Sequence, residues 1–291
     1  MMPTVTKKHK RSLINKYFNK DIFLEMYAIT LSSGIDNNDR YIMMQDILRN
    51  HNIPFTPLGC GTNRASVLID GYALKIALDK DGGIDNRREA IYSKALQPYV
   101  TKCYECTPNG MLAVEEYVEI FTQDDFRSRQ SEMREILEAI SEQYLVGDIG
   151  ITTKNYVNWG IRLDGTICIL DYAYCYNTTF GTFRCSCDDT SILQYDKNFV
   201  DLICPKCGRK YTFGDIRRRI TRKAQEDEIG DIRRIGYNIT KPDEDVTVVK
   251  EFEPEVKTKE KKVNKVDMII KEYYKHKEEG KIGTQDWDNP N

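Results

Sequence analysis

The spacing of four cysteines constrains this chain of 291 residues more than any other feature of its sequence. Cys185 and Cys187 form a C-x-C pair, while Cys204 and Cys207 form a C-x2-C pair followed directly by glycine. Two such pairs are typical of a zinc ion held by four thiolates in tetrahedral geometry. Because the protein would then fill every ligand position of the metal, we expect a structural zinc ribbon over residues 183–213.

The charge of the chain is nearly balanced, with 43 Lys and Arg residues against 45 Asp and Glu and a formal net charge of -2. This total does not indicate a general nucleic-acid binder or a membrane-surface protein. No apolar run approaches the roughly 18 residues that span a bilayer, and residues 1–20 lack the apolar part of a secretory signal. We therefore expect no membrane partner and a reducing, cytoplasmic location, where paired cysteines bind metal rather than form disulfides.

Helical periodicity predicts that the chain begins with helices. Apolar residues recur at helical spacing over residues 12–31 and again over 39–50, before Pro54 and Pro57 end the second run. The sequence therefore predicts a helical extension over residues 1–54.

Alternating apolar residues predict a sheet after this extension. Residues 58–77 have the pattern of three strands joined by tight turns, and residues 99–118 have the pattern of two more. Between them, residues 84–96 are typical of a helix that Asp85 or Asn86 could cap.

A more helical part follows the predicted sheet. Residues 131–145 have the pattern of an amphipathic helix, and two short strands are predicted over 159–163 and 166–170. This order of elements predicts an α+β chain in which a small β-rich unit precedes a helical one.

The last part of the chain is strongly charged. A basic helix is predicted from Phe213 to about residue 228. Beyond it, residues 238–291 contain few core residues and read as a charged, largely disordered linker with a short helix over 263–279.

Four residues of the β-rich unit have the chemistry to handle phosphate groups. Gly59 and Gly61 lie in a turn between two strands, where backbone N–H groups can approach an anion closely. Lys75 lies in an apolar strand, where an ammonium needs an ion-pair partner or a bound anion, and Glu89 on the following helix is a suitable partner. An ordinary hairpin turn, a lysine reaching solvent and a solvated helix face are the alternatives for these residues.

Three polar residues farther along the chain can hold a metal ion and a reacting hydroxyl group. Asp148 ends an apolar stretch, Asn158 opens a predicted strand, and Asp171 ends its partner strand. Pairing of the two strands would bring Asn158 and Asp171 together, beside the loop that carries Asp148. Oxygen ligands from neighbouring strand ends can form a Mg²⁺ site that nucleotide phosphates complete. Asp148 would then accept the proton of the attacking hydroxyl group.

Taken together, these segments resemble the protein kinase and aminoglycoside phosphotransferase superfamily. LGCGTNRASVL resembles its glycine-rich loop, ALKIA its lysine strand, and EEYV at 115–118 the hinge that binds adenine. GDIG and NWGIRLDGTICILDYA resemble the catalytic and metal-binding segments of the small-molecule kinases. The resemblance covers residues 55–176.

The resemblance implies a bilobal kinase-like fold, with a small β-rich N-lobe over 55–118 and a helical C-lobe over 119–237 that includes the zinc ribbon. It implies ATP and Mg²⁺ as cofactors, with Lys75 on the α- and β-phosphates and Asp148 as the catalytic residue. Asn158 and Asp171 would bind Mg²⁺, although Asn155 could take the place of Asn158. The other implied nucleotide-binding positions are Gly59, Gly61, Glu89 and Glu116.

Three functions follow from these patterns. The first is an ATP- and Mg²⁺-dependent phosphotransferase acting on an unknown protein or small molecule. The second is a catalytically inactive kinase-like scaffold, or a virion-associated structural protein, that binds a partner. The third is a zinc-ribbon protein that binds nucleic acid through basic residues over 209–223, which the balanced total charge disfavours. The composition, rich in Lys, Asn and Tyr, also resembles that of tailed-bacteriophage proteins and would place the chain in a bacterial host's cytoplasm or in a virion.

Overall fold

The computed structural model describes residues 12–177, Cys185, Cys187, residues 193–213 and the two-residue strand Thr247–Val248. These residues form a mixed α+β structure with several small antiparallel sheets, which confirms the predicted fold class at its coarsest level. The basic helix predicted after Phe213 lies outside the described residues, as does the charged tail apart from that strand. In the described part of the chain, no helix is long and apolar enough to cross a membrane.

The N-terminal residues form three helices rather than the predicted two. Asn19 divides the long helix expected over 12–31, because its side chain accepts hydrogen bonds from two backbone N–H groups and caps a new helix. The helices are α1 (Leu13–Tyr17), α2 (Lys20–Leu31) and α3 (Asn37–Asn50).

A central sheet follows the helices, and its strands have the order β1-β2-β3-β5-β4 with antiparallel neighbours. The strand Thr247–Val248 pairs in parallel with β4 at one edge. The five main strands are β1 (Thr56–Cys60), β2 (Arg64–Ile69), β3 (Tyr72–Ala77), β4 (Cys103–Cys106) and β5 (Leu112–Glu116).

The two faces of the sheet differ in chemistry because successive strand residues point in opposite directions. Leu74 and Ile76 of β3 and Leu112 and Val114 of β5 are buried in one core cluster with α1, α2 and α3. The intervening residues of the same strands, which include Lys75, therefore face the other side of the sheet.

Helix α4 (Lys80–Ala95) covers that second face. Asp79 is its N-cap and accepts a hydrogen bond from the N–H of Gly82, so the prediction of Asp85 or Asn86 as the cap was wrong. The helix begins earlier than predicted because this hydrogen bond caps its first turn, which also packs directly on the backbone. A Cβ atom added at Gly82 would lie 2.1 Å from the carbonyl oxygen of Asn63.

The remainder of the chain up to residue 177 contains two helices and five short strands. Strands β6, β8 and β9 form one antiparallel sheet, and β7 pairs with β10. The helix predicted over 131–145 ends at Ser141, because the residues after it form β7 instead. These elements are β6 (Glu119–Ile120), α5 (Gln123–Ser128), α6 (Gln130–Ser141), β7 (Tyr144–Val146), β8 (Trp159–Ile161), β9 (Ile167–Ile169) and β10 (Cys175–Asn177).

The cysteine-rich segment forms a small sheet of its own. It consists of β11 (Gln194–Tyr195), β12 (Leu202–Ile203) and β13 (Lys210–Tyr211), which are antiparallel in that order. The turn between β12 and β13 carries Cys204 and Cys207.

Candidate functional site

Lys75 lies at the centre of a buried cluster of charges between the sheet and α4. Its Nζ atom is 2.7 Å from Glu89 Oε2 and 3.0 Å from Glu115 Oε2. It also donates to the carbonyl oxygen of Leu170 at 2.8 Å. The predicted ion pair with Glu89 therefore forms, and three acceptors match the three protons of the ammonium group.

Glu89 is fully buried and accepts hydrogen bonds from three parts of the chain. Besides Lys75, Arg64 Nη1 lies 2.5 Å from Glu89 Oε2, and the N–H of Tyr172 donates to Oε1 at 3.2 Å. Burial alone would raise the pKa of Glu89, but the positive charges of Arg64 and Lys75 lower it to about 2. Glu89 thus remains an ionised anchor for two cations.

Glu115 is a second buried carboxyl group beside Lys75. The hydroxyl of Thr101 donates to its Oε2 atom at 2.9 Å, whereas Oε1 has no hydrogen-bond partner among the residues that the structure describes. Burial raises the pKa of Glu115 to about 8, and the negative charge of Glu89 acts in the same direction, against the effect of Lys75. Glu115 was predicted to belong to a hinge, and its contact with Lys75 was not predicted, although the period-two alternation from Ala113 could have indicated it.

Arg64 connects the buried cluster to Asp171. It lies on β2 immediately after the glycine turn, and its Nη2 atom donates to Asp171 Oδ1 at 2.9 Å. The side chain of Arg64 is 12% exposed and that of Asp171 is 40% exposed, so the pair lies at the opening of the cluster. Although burial lowers the pKa of Arg64, the charges of Glu89 and Asp171 raise it well above its ordinary value. The role of this arginine was not predicted, and its position in LGCGTNRASVL, directly after the glycine turn, was the available signal.

Asp148 and Asn158 are linked through the backbone. Asn158 Nδ2 donates to the main-chain oxygen of Asp148 at 2.7 Å, while the N–H of Leu170 donates to the main-chain oxygen of Asn158 at 2.8 Å. Burial and the negative charge of Asp171 raise the pKa of Asp148. The structure thus brings Asp148, Asn158 and Asp171 into one neighbourhood.

Asn158 reaches this position from a short 3-10 turn, Tyr156–Asn158, rather than from the start of a strand as predicted. Asn155 begins that turn, and its main-chain oxygen accepts the N–H of Asn158 at 3.0 Å. Of the two asparagines, Asn158 is the one whose side chain is hydrogen-bonded to the loop of Asp148.

The glycine turn lies at the open edge of the sheet. Gly59 has a φ of 155° beside a bulge in β1, and the N–H of Gly61 donates to the main-chain oxygen of Arg64 at 2.8 Å. Cys60 between them is exposed and is not part of the core. The reason is that β1 is an edge strand, which leaves this side chain outside the core.

Glu116, predicted as part of an adenine-binding hinge, is already engaged with other residues. Arg162 Nε lies 3.1 Å from both carboxylate oxygens of Glu116. The N–H of Glu116 donates to the main-chain oxygen of Lys102 at 2.8 Å. This residue therefore ties β5 to the turn between β8 and β9.

The predicted grouping of four cysteines is confirmed. The Sγ atoms of Cys185 and Cys207 lie 3.6 Å apart, as do those of Cys187 and Cys204, and all four lie within 4.8 Å of one another. Sulfur atoms bound to one zinc ion at about 2.3 Å in tetrahedral geometry are about 3.8 Å apart. The cluster therefore has the chemistry and size to hold a zinc ion. Among the described residues, no other group of three or more His, Cys, Asp or Glu side chains lies close enough together to hold a metal ion.

The turn after Cys204 shapes one half of this cluster. The N–H of Cys204 donates to the oxygen of Arg209, and the N–H of Gly208 donates back to the oxygen of Cys204, each at 2.9 Å. Gly208 has a φ of 71°, a left-handed conformation that glycine adopts without steric cost. On the other half, a hydrogen bond with the hydroxyl of Tyr211 contributes most to lowering the pKa of Cys185 to about 6. Hydrogen bonds with Cys185 and Cys207 in turn raise the pKa of Cys187 to about 12, so the four thiols share their protons unequally.

Two other cysteines close in sequence, Cys103 and Cys106, lie on β4 and are buried in a small core cluster with Ala113. They are therefore core residues of the sheet.

In comparisons with known proteins, no protein-family model matches the chain, and no curated protein matches it. The function must therefore be argued from the geometry and chemistry of these two sites.

Proposed function

We propose that this chain is a kinase-like phosphotransferase that uses ATP and Mg²⁺ and acts on an acceptor still to be identified. The observation that carries the proposal is the convergence of three segments that are distant in sequence. Lys75 on β3 pairs with Glu89 on α4 at 2.7 Å and also donates to Leu170, the residue before Asp171. A strand lysine, a helix glutamate and a metal-binding aspartate are the parts that phosphoryl transfer requires in one place.

The proposal assigns residues 55–118 to an N-lobe and residues 119–237 to a C-lobe, with the nucleotide bound between them. Lys75 and Arg64 supply two positive charges that could bind phosphate groups once these groups replace part of their pairing with Glu89 and Asp171. Asp171 and Asn158 would hold Mg²⁺, which when bound neutralises developing charge and orients the phosphates.

Asp148 would take the proton of the acceptor hydroxyl group. Its raised pKa supports this role, because a general base works best when its pKa approaches the working pH. Its side chain is on a loop beside Asp171, where an acceptor and a metal-bound phosphate could meet.

The four-cysteine cluster supports a structural zinc ribbon as a second part of the same molecule. All four ligand positions of a zinc ion would be taken by Cys185, Cys187, Cys204 and Cys207, which leaves none for a substrate. The zinc ion would therefore serve folding, not phosphoryl transfer.

A catalytically inactive scaffold is the second candidate function, and one observation favours it. The three protons of the Lys75 ammonium are matched by Glu89, Glu115 and Leu170, and Arg64 pairs with Asp171. A nucleotide would have to displace some of these contacts. The third function, nucleic-acid binding through residues 209–223, and the bacteriophage origin remain predictions from sequence, since residues 214–223 lie outside the described part.

Nucleotide binding is the first experiment. Thermal melting of the zinc-loaded chain should show stabilisation by ATP with Mg²⁺, of about 2.7 kcal/mol when the ligand is present at 100 times its Kd. Asp171→Asn should lose this stabilisation. Asp124→Asn, which changes an aspartate that is 90% exposed on α5, should retain it. A wild-type chain that gains no stability from ATP and Mg²⁺ would refute the proposal.

A second measurement separates the two candidates. Labelled phosphate from ATP is followed into water, into the chain itself and into candidate acceptor mixtures. Binding with transfer that is lost in Asp148→Asn supports the phosphotransferase. Binding without any transfer favours the scaffold.

A further inference from the structure

We propose that the cysteine module, defined as Cys185, Cys187 and residues 193–213, is a clamp that sets the conformation of the Asp148 loop, residues 146–151. Metal binding by the module would then determine the geometry of this loop. The inference rests on the proposed function only in the catalytic role that it gives Asp148. The physical coupling between module and loop stands on contacts alone.

Tyr195 makes the first set of contacts. Its hydroxyl accepts the N–H of Val146 at 2.5 Å and donates to the main-chain oxygen of Val146 at 2.8 Å. One side chain of the module thus satisfies both polar backbone groups of a residue two positions before Asp148. The ring of Tyr195 is held by Phe199 and Phe213, whose centroids lie 5.3 and 6.0 Å away.

The two glycines that flank Asp148 and Ile149 make the second set. A Cβ atom added at Gly147 would lie 3.2 Å from Phe213 Cδ1, and one added at Gly150 would lie 2.7 Å from Val200 Cγ2. The N–H of Ile151 also donates to the main-chain oxygen of Asn198 at 2.9 Å. The module therefore contacts the loop on both sides of Asp148, so closely that an added Cβ atom would press on Phe213 or Val200.

The loop needs such support because Asp148 has a φ of 61°. This left-handed conformation is unfavourable for a residue with a Cβ atom and persists when surrounding contacts impose it. Among the described residues, the contacts that the module makes with the loop can impose this conformation on Asp148. Asn158, which donates to the oxygen of Asp148, supports the loop from the opposite side.

The module in turn depends on its metal. Its three strands are two residues long each, and its buried cluster consists of Leu193, Leu202, Tyr211 and two of the cysteines, together with Leu145 and Tyr176 outside the module. So small a sheet has few core residues of its own, and metal binding can supply the folding free energy of such modules. Loss of the metal would therefore release Tyr195 and, with it, the Asp148 loop.

Hydrogen exchange followed by mass spectrometry tests the clamp on the full chain without nucleotide, so the result does not depend on the proposed function. Zinc-loaded protein is compared with protein freed of zinc by a chelator, and peptides over 144–152 are compared with peptides of β2 and β3. We expect exchange over 146–151 to become about tenfold faster without zinc, while β2 and β3 are unchanged. Rapid exchange in the module with unchanged exchange over 146–151 would overturn the clamp.

Tyr195→Phe keeps the aromatic ring and the zinc ligands but removes both hydrogen bonds to Val146. It should retain zinc and accelerate exchange over 146–151, whereas Tyr17→Phe, which removes a hydroxyl bonded to Asp70, should not. If removal of zinc by a chelator unfolds the whole chain, the zinc-loaded Tyr195→Phe variant still tests whether the module holds the Asp148 loop. Unchanged loop exchange in zinc-loaded Tyr195→Phe would refute the assignment. Where transfer is measurable, the variant should lower kcat and leave the KM for ATP unchanged, as a positioning residue requires.

Discussion

The Nζ atom of Lys75 and the Oε2 atom of Glu115 lie 3.0 Å apart on the neighbouring strands β3 and β5. The register pairs Lys75 with Ala113, so Glu115 is the next residue on the same face of the sheet. Lys75 thus lies between two buried acids, Glu89 and Glu115, of which Glu89 also has Arg64 as a partner. The charge of the cluster therefore depends on the protonation of Glu115.

The pH dependence of stability reports that protonation. The pKa of Glu115 is raised from 4.5 to about 8 in the folded chain. The unfolded chain releases this proton first, so the contribution of Glu115 to stability is full below about pH 4.5 and is lost as the pH rises through about 8. In this window the free energy of unfolding should fall by up to about 1.4 kcal/mol per pH unit from this group.

Glu115→Gln should remove this fall, because glutamine resembles the protonated acid at every pH. Denaturant unfolding at several pH values between about 5 and 8 measures how the free energy of unfolding changes with pH in the wild type and in the variant. Glu119→Gln, an exposed change on β6, serves as the control and should follow the wild type. Parallel curves for wild type and Glu115→Gln would show that Glu115 is ionised throughout.

Arg64 should compete with a divalent cation for Asp171. The guanidinium of Arg64 lies 2.9 Å from Asp171 Oδ1, on the carboxylate that would bind Mg²⁺. Arg64→Gln should therefore strengthen the binding of Mn²⁺, used as a paramagnetic probe, by about fivefold, at the low end of typical coupling energies. Electron paramagnetic resonance measures the free ion. Arg127→Gln on exposed α5 is the control, and weaker binding in Arg64→Gln would mean that Arg64 helps to build the site.

Removal of one thiolate should abolish metal binding by the cysteine cluster. Cys204→Ser leaves three of the four sulfur ligands, so zinc content after dialysis should fall from about one atom per chain to near zero, and the melting temperature should fall with it. Elemental analysis measures the zinc. Cys60→Ser alters an exposed cysteine outside the cluster and should keep the metal. Equal zinc in both variants would contradict the four-cysteine site.

Glu105 should be important for the attachment of α1 to the sheet. Its carboxylate accepts hydrogen bonds from the Ser12 hydroxyl at 2.6 Å and from the N–H groups of Leu13 and Ile14 at 2.7 and 3.2 Å. Glu105→Ala leaves these donors unpartnered near a helix N-terminus and should cost about 1–3 kcal/mol of unfolding free energy. Chemical denaturation measures this loss. Glu135→Ala, on the exposed face of α6, should cost much less.

Asp148→Asn should increase stability and abolish phosphate transfer. Because the pKa of Asp148 is raised by burial and by Asp171, its charged form is disfavoured in the folded chain at neutral pH. Asparagine removes that charge and tolerates the left-handed backbone of this position. A melting temperature a few degrees above that of the wild type is therefore expected, and the difference should shrink as the pH falls towards the pKa. A less stable variant would show that the carboxylate makes a contact that asparagine cannot.

Much of the fold followed from local patterns. Alternation identified the strands around Lys75 because a half-buried sheet imposes a period of two residues. Two of the boundaries that failed did so at helix caps. Asn19 divided one helix, and Asp79 started another before Asp85, because a single side-chain hydrogen bond to a backbone N–H decides where a helix begins.

The candidate sites show the same division. The pairs of cysteines and the ion pair of Lys75 with Glu89 could be anticipated because residue type and spacing carry that chemistry directly. The positions of Arg64 and Glu115 could not, since both depend on which strands become neighbours and which face meets α4. The docking of Tyr195 on Val146 likewise joins segments with no pattern in common.

The sequence by itself therefore determined the α+β class, the four cysteines that could hold a metal ion and the residue types available for phosphate chemistry. These properties depend on periodicity, spacing and side-chain chemistry, which are local. Only the tertiary structure decided that Lys75 lies between two buried acids, that Arg64 pairs with Asp171, and that the cysteine module contacts the Asp148 loop. Such relationships depend on burial and on contacts between distant segments, and these exist only once the chain has folded.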